Sequence, residues 1–267
     1  MNLKNEYFSA VIPTMQKNKK VLYMLINQLL EDSSVDEIII IDNSLEGIDI
    51  SANKIKIITP KENIYVNPAW NVGVKESKND YVALLNDDLI LPPNLLNKTL
   101  KFFKTTENIG FIGLDTIEKS SPEDFIDYPK DLELCFEKID TRCVCWGCVI
   151  CFNKNDYIEI PENIKVWCGD DFLFDRSQKL GKNNYKINNS NVLHLHSLTS
   201  NLEDFSKIKL NDQLEYRKIT PDYIFDYDTS YKVNFIKKVF SIQNYYTHGI
   251  KKKAIFLFGI KITIKIG

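Results

Sequence analysis

The sequence predicts a doubly wound α/β sheet flanked by helices, and three observations carry that prediction. Over the first 115 residues, short β-branched runs alternate with stretches of helical period. The runs EIIIIDNS (37–44) and DYVALLN (80–86) are apolar without alternation, the mark of strands covered on both faces. Proline, asparagine and aspartate punctuate the ends of these runs, where a βα unit turns.

Taken in order, FSAVIP (8–13) is a strand stopped by Pro13. Residues 18–32 form a helix with Leu22, Leu25, Ile26, Leu29 and Leu30 on one stripe. EIIIIDNS is a central parallel strand, KIKIIT (54–59) another strand, and NPAWNVGVKES (67–77) a short helix. DYVALLN is a buried strand, 92–106 a helix opened by Pro92 and Pro93, and IGFIGL (109–114) a strand. Further on, 142–154 reads as a strand pair or one long strand. A helix covers 169–181, with acids in its first turn and Gly181 at its end. NVLHLHS (191–197) is a strand ending in two histidines, and 203–219 is a charged helix.

A chain of 267 residues fits one large domain with a C-terminal appendage. The expected division is a domain over 1–231, its halves meeting near residue 115, and an extension over 232–267. The formal charge of −2 excludes a global attraction to nucleic acid. It hides an asymmetry: Lys232–Gly267 holds eight lysines and no acid, leaving the first 231 residues about ten charges negative. The start, MNLKNEYFSAVIPT, is too polar for a signal peptide. No run reaches the roughly 18–20 apolar residues of a spanning helix. Six cysteines without an export signal fit reduced thiols, so a cytoplasmic protein is expected, or one peripheral at the inner face of the cytoplasmic membrane.

Neither a dinucleotide G-x-G-x-x-G nor a P-loop follows the first strand. The strand ends carry acids and polar residues instead: Pro13 and Thr14, Asp42, then Asp87 with Asp88. In an open α/β sheet, ligands bind outside the carboxyl ends of the strands. Two adjacent ionised carboxylates repel, and burying them is costly unless a positive group sits beside them. Carboxylate oxygens favour Mg²⁺ or Mn²⁺, and such ions favour phosphate. The pattern therefore suits a nucleotide with its ribose or base near Asp42 and its diphosphate bridged by a divalent cation. A solvated turn at Asp87–Asp88 is the competing reading.

AVIPT, IIIIDNS, NPAWNVGV and YVALLNDDLILPPNLL, followed by GDDFLFDRSQKLG and NVLHLHS, resemble in order and spacing the family 2 glycosyltransferases of the GT-A fold. The likeness covers roughly residues 8–200. It implies an inverting transfer of a sugar from a nucleotide-diphosphate sugar to a hydroxyl of a saccharide or lipid-linked glycan, as in assembly of bacterial capsule or lipopolysaccharide. By the same resemblance Asp42 would contact nucleobase or ribose, Trp70 and Asn71 would line the donor pocket, and Asn86, Asp87 and Asp88 would occupy the D-x-D position. Asp88 would be the metal ligand and Asp87 would lie near ribose or metal. Asn86 is a departure, a neutral amide where the family's first Asp often stands. Asp170 or Asp171 would be the general base, His194 or His196 a metal or diphosphate contact, and Trp146–Gly147 part of the acceptor side.

Each expectation has a structural rival. Acids open helices without catalysing anything, because the helix dipole favours them there; Asp42 also suits a cap or turn, and either histidine suits a core. Cys143, Cys145, Cys148 and Cys151 have no common zinc spacing and sit among core formers, so they read as buried small hydrophobes. The lysine-rich C-terminus suits a packed hairpin or a face toward anionic lipid. The rival functions are a non-catalytic nucleotide-sugar binder and a sugar-1-phosphate nucleotidyltransferase. For the latter, PTMQKNKK lacks the Gly and Arg of a phosphate loop.

Overall fold

The computed structural model describes residues 6–119, 133–142, 146–195, 203–221, 240–247, 250–257 and 260–265. Its strands are β1 (Phe8–Thr14), β2 (Val35–Asp42), β3 (Ile55–Ile58), β4 (Tyr81–Leu85), β5 (Leu89–Ile90), β6 (Ile109–Lys119), β7 (Cys135–Ile139), β8 (Val149–Asn153) and β9 (Asn183–Leu195). They form one sheet in the order β3-β2-β1-β4-β8-β6-β9-β5, with β7 also on β9. The pairs β1–β2, β2–β3, β1–β4 and β6–β9 are parallel; β4–β8, β6–β8, β5–β9 and β7–β9 are antiparallel. The sheet is thus mixed.

The helices are α1 (Lys19–Glu31), α2 (Val66–Glu76), α3 (Leu95–Thr105), α4 (Gly169–Lys179) and α5 (Glu203–Ile219). Strand alternation sends successive residues to opposite faces, which explains two separate cores. Phe8, Ala10 and Ile12 join Leu22, Leu25, Ile26 and Leu29 of α1 and Leu95, Leu96 and Leu100 of α3. Val11, Ile39 and Ile41 join Ala69, Trp70 and Val74 of α2, Phe172 to Phe174 of α4, and Tyr216 of α5. Helix α1 starts where the Asn18 side chain accepts the Val21 N–H at 3.1 Å. Truncating a fully buried stripe residue such as Leu25 to Ala would cost about 2–5 kcal/mol.

Three segments differ from the sequence reading. The strand expected at 191–197 begins at Asn183, because NNYKINNSN is paired on both sides, with β6 and with β7. Strand β6 accordingly runs on to Lys119. The 142–154 segment becomes a 3₁₀ turn, Trp146–Cys148, followed by β8 alone. Cys148 and Cys151 are buried there, and burial pushes the Cys151 thiol up; Cys143 and Cys145 lie outside the described residues. The C-terminal segment forms a second sheet of β10 (Phe240–Thr247), β11 (Ile250–Leu257) and β12 (Ile260–Lys265), antiparallel throughout. In it Ile255 pairs with Ile262 and Lys253 with Ile264, and Ile262 and Ile264 are about half exposed. Among the described residues no helix is long and apolar enough to cross a membrane.

Candidate functional site

The parallel strands β1, β2 and β4 end at one edge, and their polar residues interlock there. Thr14 stands in register with Asp42. Its hydroxyl donates to Asp87 Oδ2 at 2.5 Å and accepts from the Gln16 N–H at 2.8 Å. Gln16, in the left-handed region at φ 53°, donates through Nε2 to Asp42 Oδ1 at 3.0 Å. Asp42 is buried and also accepts from the Ser44 hydroxyl, the Ser44 N–H and the Gly47 N–H, at 2.5, 3.1 and 2.9 Å. Burial pushes its carboxyl upward, but these hydrogen bonds outweigh burial and hold it below the ordinary value. Both Asp42 oxygens are therefore engaged by the protein, and the residue shapes the 42–47 loop. Pro13, opposite Ile41, does not stop the strand as expected: β1 runs one residue past it to Thr14.

Asn86, Asp87 and Asp88 follow β4 directly. The Asn86 N–H donates to Cys148 O at 3.0 Å, tying the cluster to the 3₁₀ turn. Asp87 is pushed up to about 6, mainly by burial and then by the neighbouring Asp88 charge, against the Thr14 hydrogen bond. Asp88 accepts the Leu195 N–H on its backbone carbonyl at 2.9 Å, and β5 pairs Leu89 with His194. This brings Asp88 Oδ1 to 3.2 Å from His194 Nε2. On the other side of the ring, Nδ1 lies 2.7 Å from Glu118 Oε1 and 3.9 Å from Cys148 Sγ.

The Asp88–His194 pair fits a hard divalent cation by a direct test. Asp88 Oδ1 is buried and accepts no aligned hydrogen bond, although His194 is close. Two ligand atoms 3.2 Å apart match neighbouring positions around an ion with bonds of about 2.1–2.2 Å at near right angles. Among the described residues, no three His, Cys, Asp or Glu side chains converge on one point. His196, the other expected histidine, lies outside them.

The second acidic group opens α4. Asp170 and Asp171 share one guanidinium: Arg142 Nη1 lies 3.0 Å from Asp170 Oδ2, and Arg142 Nε lies 2.5 Å from Asp171 Oδ1. Asp171 is buried (side chain 6% exposed), whereas Asp170 keeps 20%. Burial pushes the Asp170 carboxyl up to about 6, with Arg142 pulling it down and Asp171 adding to the rise. Asp170 also packs on Gly147, where a Cβ would meet its Oδ2 at 2.7 Å. The Trp146–Cys148 turn therefore touches the Asn86–His194 group with one end and Asp170 with its middle.

The loop before α4 is held from two sides. Asp212 of α5, fully buried, accepts the N–H groups of Lys165, Val166 and Trp167 at 2.9, 2.8 and 2.9 Å. Asn67 of α2 donates to the carbonyls of Ile164 and Trp167, both at 3.2 Å. Donors of the loop go to one helix and acceptors to another, so the position of Asp170 is fixed by both.

Three expected site residues sit elsewhere than anticipated. Trp146 has no exposed surface: its indole donates to Tyr185 O at 3.1 Å and packs on Phe174, so it is a core residue and does not line a cleft. Trp70 is buried in the core of α2, α4 and α5. Asn71 has its carbonyl bonded to the Tyr157 hydroxyl and Ile160 N–H, and its amide to Ile160 O, all within 3.0 Å. Both tie α2 to its neighbours. Arg142, Gln16, Glu118, Asn67 and Asp212 escaped the sequence reading. One signal was available for Arg142: the chain has 34 Lys and Arg residues, of which only Arg142, Arg176 and Arg217 are Arg. A scarce Arg marks positions where a planar fork is needed.

A sequence model of the family described as "Glycosyl transferase family 2" matches residues 9–152, which include Thr14, Asp42, Asp87 and Asp88 but neither Asp170 nor His194. No curated protein matches the chain. Among solved structures, the crystal structure of GalNAc-T7 with UDP, GalNAc and Mn²⁺ is similar at a TM-score of 0.59. The identity is 11%, over 81% of this chain and 48% of that one, so this chain spans about half the length of that protein. At such identity the likeness speaks for the fold alone, and 288 solved chains match it; a fold so widely shared leaves substrate to the site.

Proposed function

Because the chain belongs to glycosyltransferase family 2 and has the GT-A fold, we propose that it transfers a sugar, with inversion, from a nucleotide-diphosphate sugar to a saccharide hydroxyl. The observation that carries this reading is the pair of acidic groups on one short turn: Asp87, Asp88 and His194 toward one end of Trp146–Cys148, Asp170 against its middle. Single displacement suits both, one that with a divalent cation would meet the leaving diphosphate and one on the opposite face of the sugar to take the acceptor's proton.

In this reading Asp170 is the general base. It keeps more exposure than Asp171, and a carboxyl raised to about 6 is nearly fully ionised at neutral pH yet basic enough to take a proton. The acceptor hydroxyl gives its proton to Asp170 as its oxygen bonds to the anomeric carbon. The bond from that carbon to the diphosphate breaks, its electrons staying on the phosphate oxygen. Asp171 fixes Arg142, and Arg142 orients Asp170. Thr14 holds Asp87, and the 42–47 loop, folded around Asp42, would lie beside the nucleoside. A divalent cation on Asp88 and His194, Mn²⁺ or Mg²⁺, would offset the charge that develops on the departing diphosphate.

The setting we propose is assembly of a bacterial surface polysaccharide on a lipid-linked acceptor, with the 232–267 extension resting on anionic lipid. The support is eight lysines and no acid in that extension, with exposed Ile262 and Ile264 beside them. Vesicle co-sedimentation of the full chain and of a chain ending at Tyr231 tests it: equal binding at low salt refutes it.

The donor site is tested by thermal shift with nucleoside diphosphates, with and without Mn²⁺, on wild type and Asp88→Ala. One nucleotide at a hundred times its Kd should add about 3 kcal/mol, roughly 5–10 °C, and the Mn²⁺-dependent part should vanish in Asp88→Ala. No stabilisation by any nucleotide would refute the donor site. For the base, Asp170→Asn should lose turnover by orders of magnitude with donor binding intact; full turnover would refute the assignment.

A further inference from the structure

The cluster around His194 contains a residue with no part in the reading above. Strands β6 and β9 run parallel, and past the irregularity between Leu114 and Thr116 their register sets Glu118 beside His194. The carboxylate oxygen Oε1 of Glu118 lies 2.7 Å from Nδ1 of the ring and accepts from the Thr116 hydroxyl at 2.9 Å. The ring is buried, only 7% exposed, and Leu89 stands opposite it across β5.

An ionised carboxylate can only accept, so a neutral His194 carries its proton on Nδ1, toward Glu118. That leaves the lone pair of Nε2 facing Asp88 Oδ1 across 3.2 Å. In that tautomer Nε2 and Asp88 Oδ1 are both acceptors, in keeping with the lack of an aligned hydrogen bond to Asp88 Oδ1. Two acceptors side by side are attractive to a cation.

We propose that Glu118 is the positioning residue for His194: it fixes the Nδ1–H tautomer and the ring plane, so that Nε2 and Asp88 Oδ1 together form a seat for a divalent cation. Carboxylate partners of ligating histidines act this way in metal sites generally, and their loss weakens metal binding about 10- to 100-fold. Glu118 is itself 42% exposed, so replacing it removes the partner of the ring without opening a core. The proposal rests on the cation reading of Asp88, and its test separates the two.

Mn²⁺ alone is titrated into full-length wild type, Glu118→Ala, Glu118→Gln and Asp88→Ala, with free Mn²⁺ followed by paramagnetic resonance. In parallel, the ring nitrogens of His194 are read by ¹⁵N-labelled histidine NMR without metal; with three histidines in the chain, a His194→Ala spectrum assigns them. Wild type should bind, Asp88→Ala should fail to bind, and Glu118→Ala should bind about 10- to 100-fold more weakly. Glu118→Gln, which keeps an acceptor oxygen, should recover most of that loss. His194 should show Nδ1–H in wild type and shift toward Nε2–H in Glu118→Ala. Equal binding by wild type and Asp88→Ala would overturn the cation reading itself. Loss in Asp88→Ala with wild-type affinity in Glu118→Ala would overturn only the role of Glu118. A Glu118→Gln as weak as Glu118→Ala would likewise overturn positioning. So would a wild-type ring protonated on Nε2 or on both nitrogens.

Discussion

Replacing Gly147 by Ala moves the proposed base while leaving every charge in place. A Cβ at that position would stand 2.7 Å from Oδ2 and 2.9 Å from both Cβ and Cγ of Asp170. Ordinary contact between such atoms begins at about 3.4–3.5 Å, so the carboxylate must retreat by about 0.5–0.7 Å. It has little freedom to do so, since Arg142 holds Oδ2 at 3.0 Å and Asp212 and Asn67 hold the loop before α4. A misplacement of about 1 Å costs on the order of 100-fold in rate, so this shift should lower kcat by about 10- to 30-fold. The assay is steady-state transfer from the donor found by thermal shift, with donor affinity measured separately. Donor affinity should stay within about twofold, because the proposed base acts on the acceptor. Gly113→Ala is the contrast: its Cβ would meet the buried Trp146 indole at 2.3–2.4 Å, so that variant should lose stability by about 1–3 kcal/mol or more. A Gly147→Ala enzyme with wild-type kcat would refute the placement of Asp170 at the reacting centre.

Other expectations follow from the same geometry. Arg142 pulls the Asp170 carboxyl down from where burial would put it, so Arg142→Ala should raise it above about 6 and shift the acid limb of the rate profile to higher pH; a shift to lower pH would refute the coupling. Asp87 holds its proton more tightly in the fold, at about 6, than at its ordinary 3.8. Its contribution to stability is therefore full below pH 4 and falls as pH rises toward 6. Without metal, wild type should thus lose on the order of 2 kcal/mol relative to Asp87→Asn over that interval in urea unfolding, and a gain would refute the sign. Asp212→Ala leaves three loop N–H groups without their acceptor and should cost about 3 kcal/mol by the same measurement, with Asp212→Asn recovering part.

The amino-terminal half was legible because its rules are local. Continuous β-branched runs identify the parallel strands, and the acids at their ends stand out against apolar neighbours. Where the sequence misled, tertiary partners overrode local pattern. The expected strand starts only at Asn191, and asparagine competes for backbone hydrogen bonds, yet β6 and β7 supply both ladders and make the preceding residues from Asn183 strand as well. Trp70 and Asn71 have the chemistry of a binding site, but the aromatic ring fills a core and the amide ties α2 to the 157–160 segment. The Arg142 link to Asp170 spans 28 residues, and that of Glu118 to His194 spans 76. Neither has a period or motif in the sequence: the β6–β9 register sets Glu118 beside His194, and tertiary packing brings Arg142 to the first turn of α4.

The irregular pairing of β9 has a consequence for how such sites diversify. Asn189 and Asn191, at φ 53° and 52°, bend the strand just before His194, where β9 advances from Ile187 to Val192 while β6 advances only from Leu114 to Thr116. Strand faces alternate with every residue, so this bend acts as a ruler that decides which side chain points at Asp88. Deleting or inserting one codon between Asn188 and Val192 would rotate His194 out and present Leu193 or Leu195 in its place. In this architecture the histidine beside Asp88 can be lost or regained by a length change in an asparagine-rich bend, with neither codon touched.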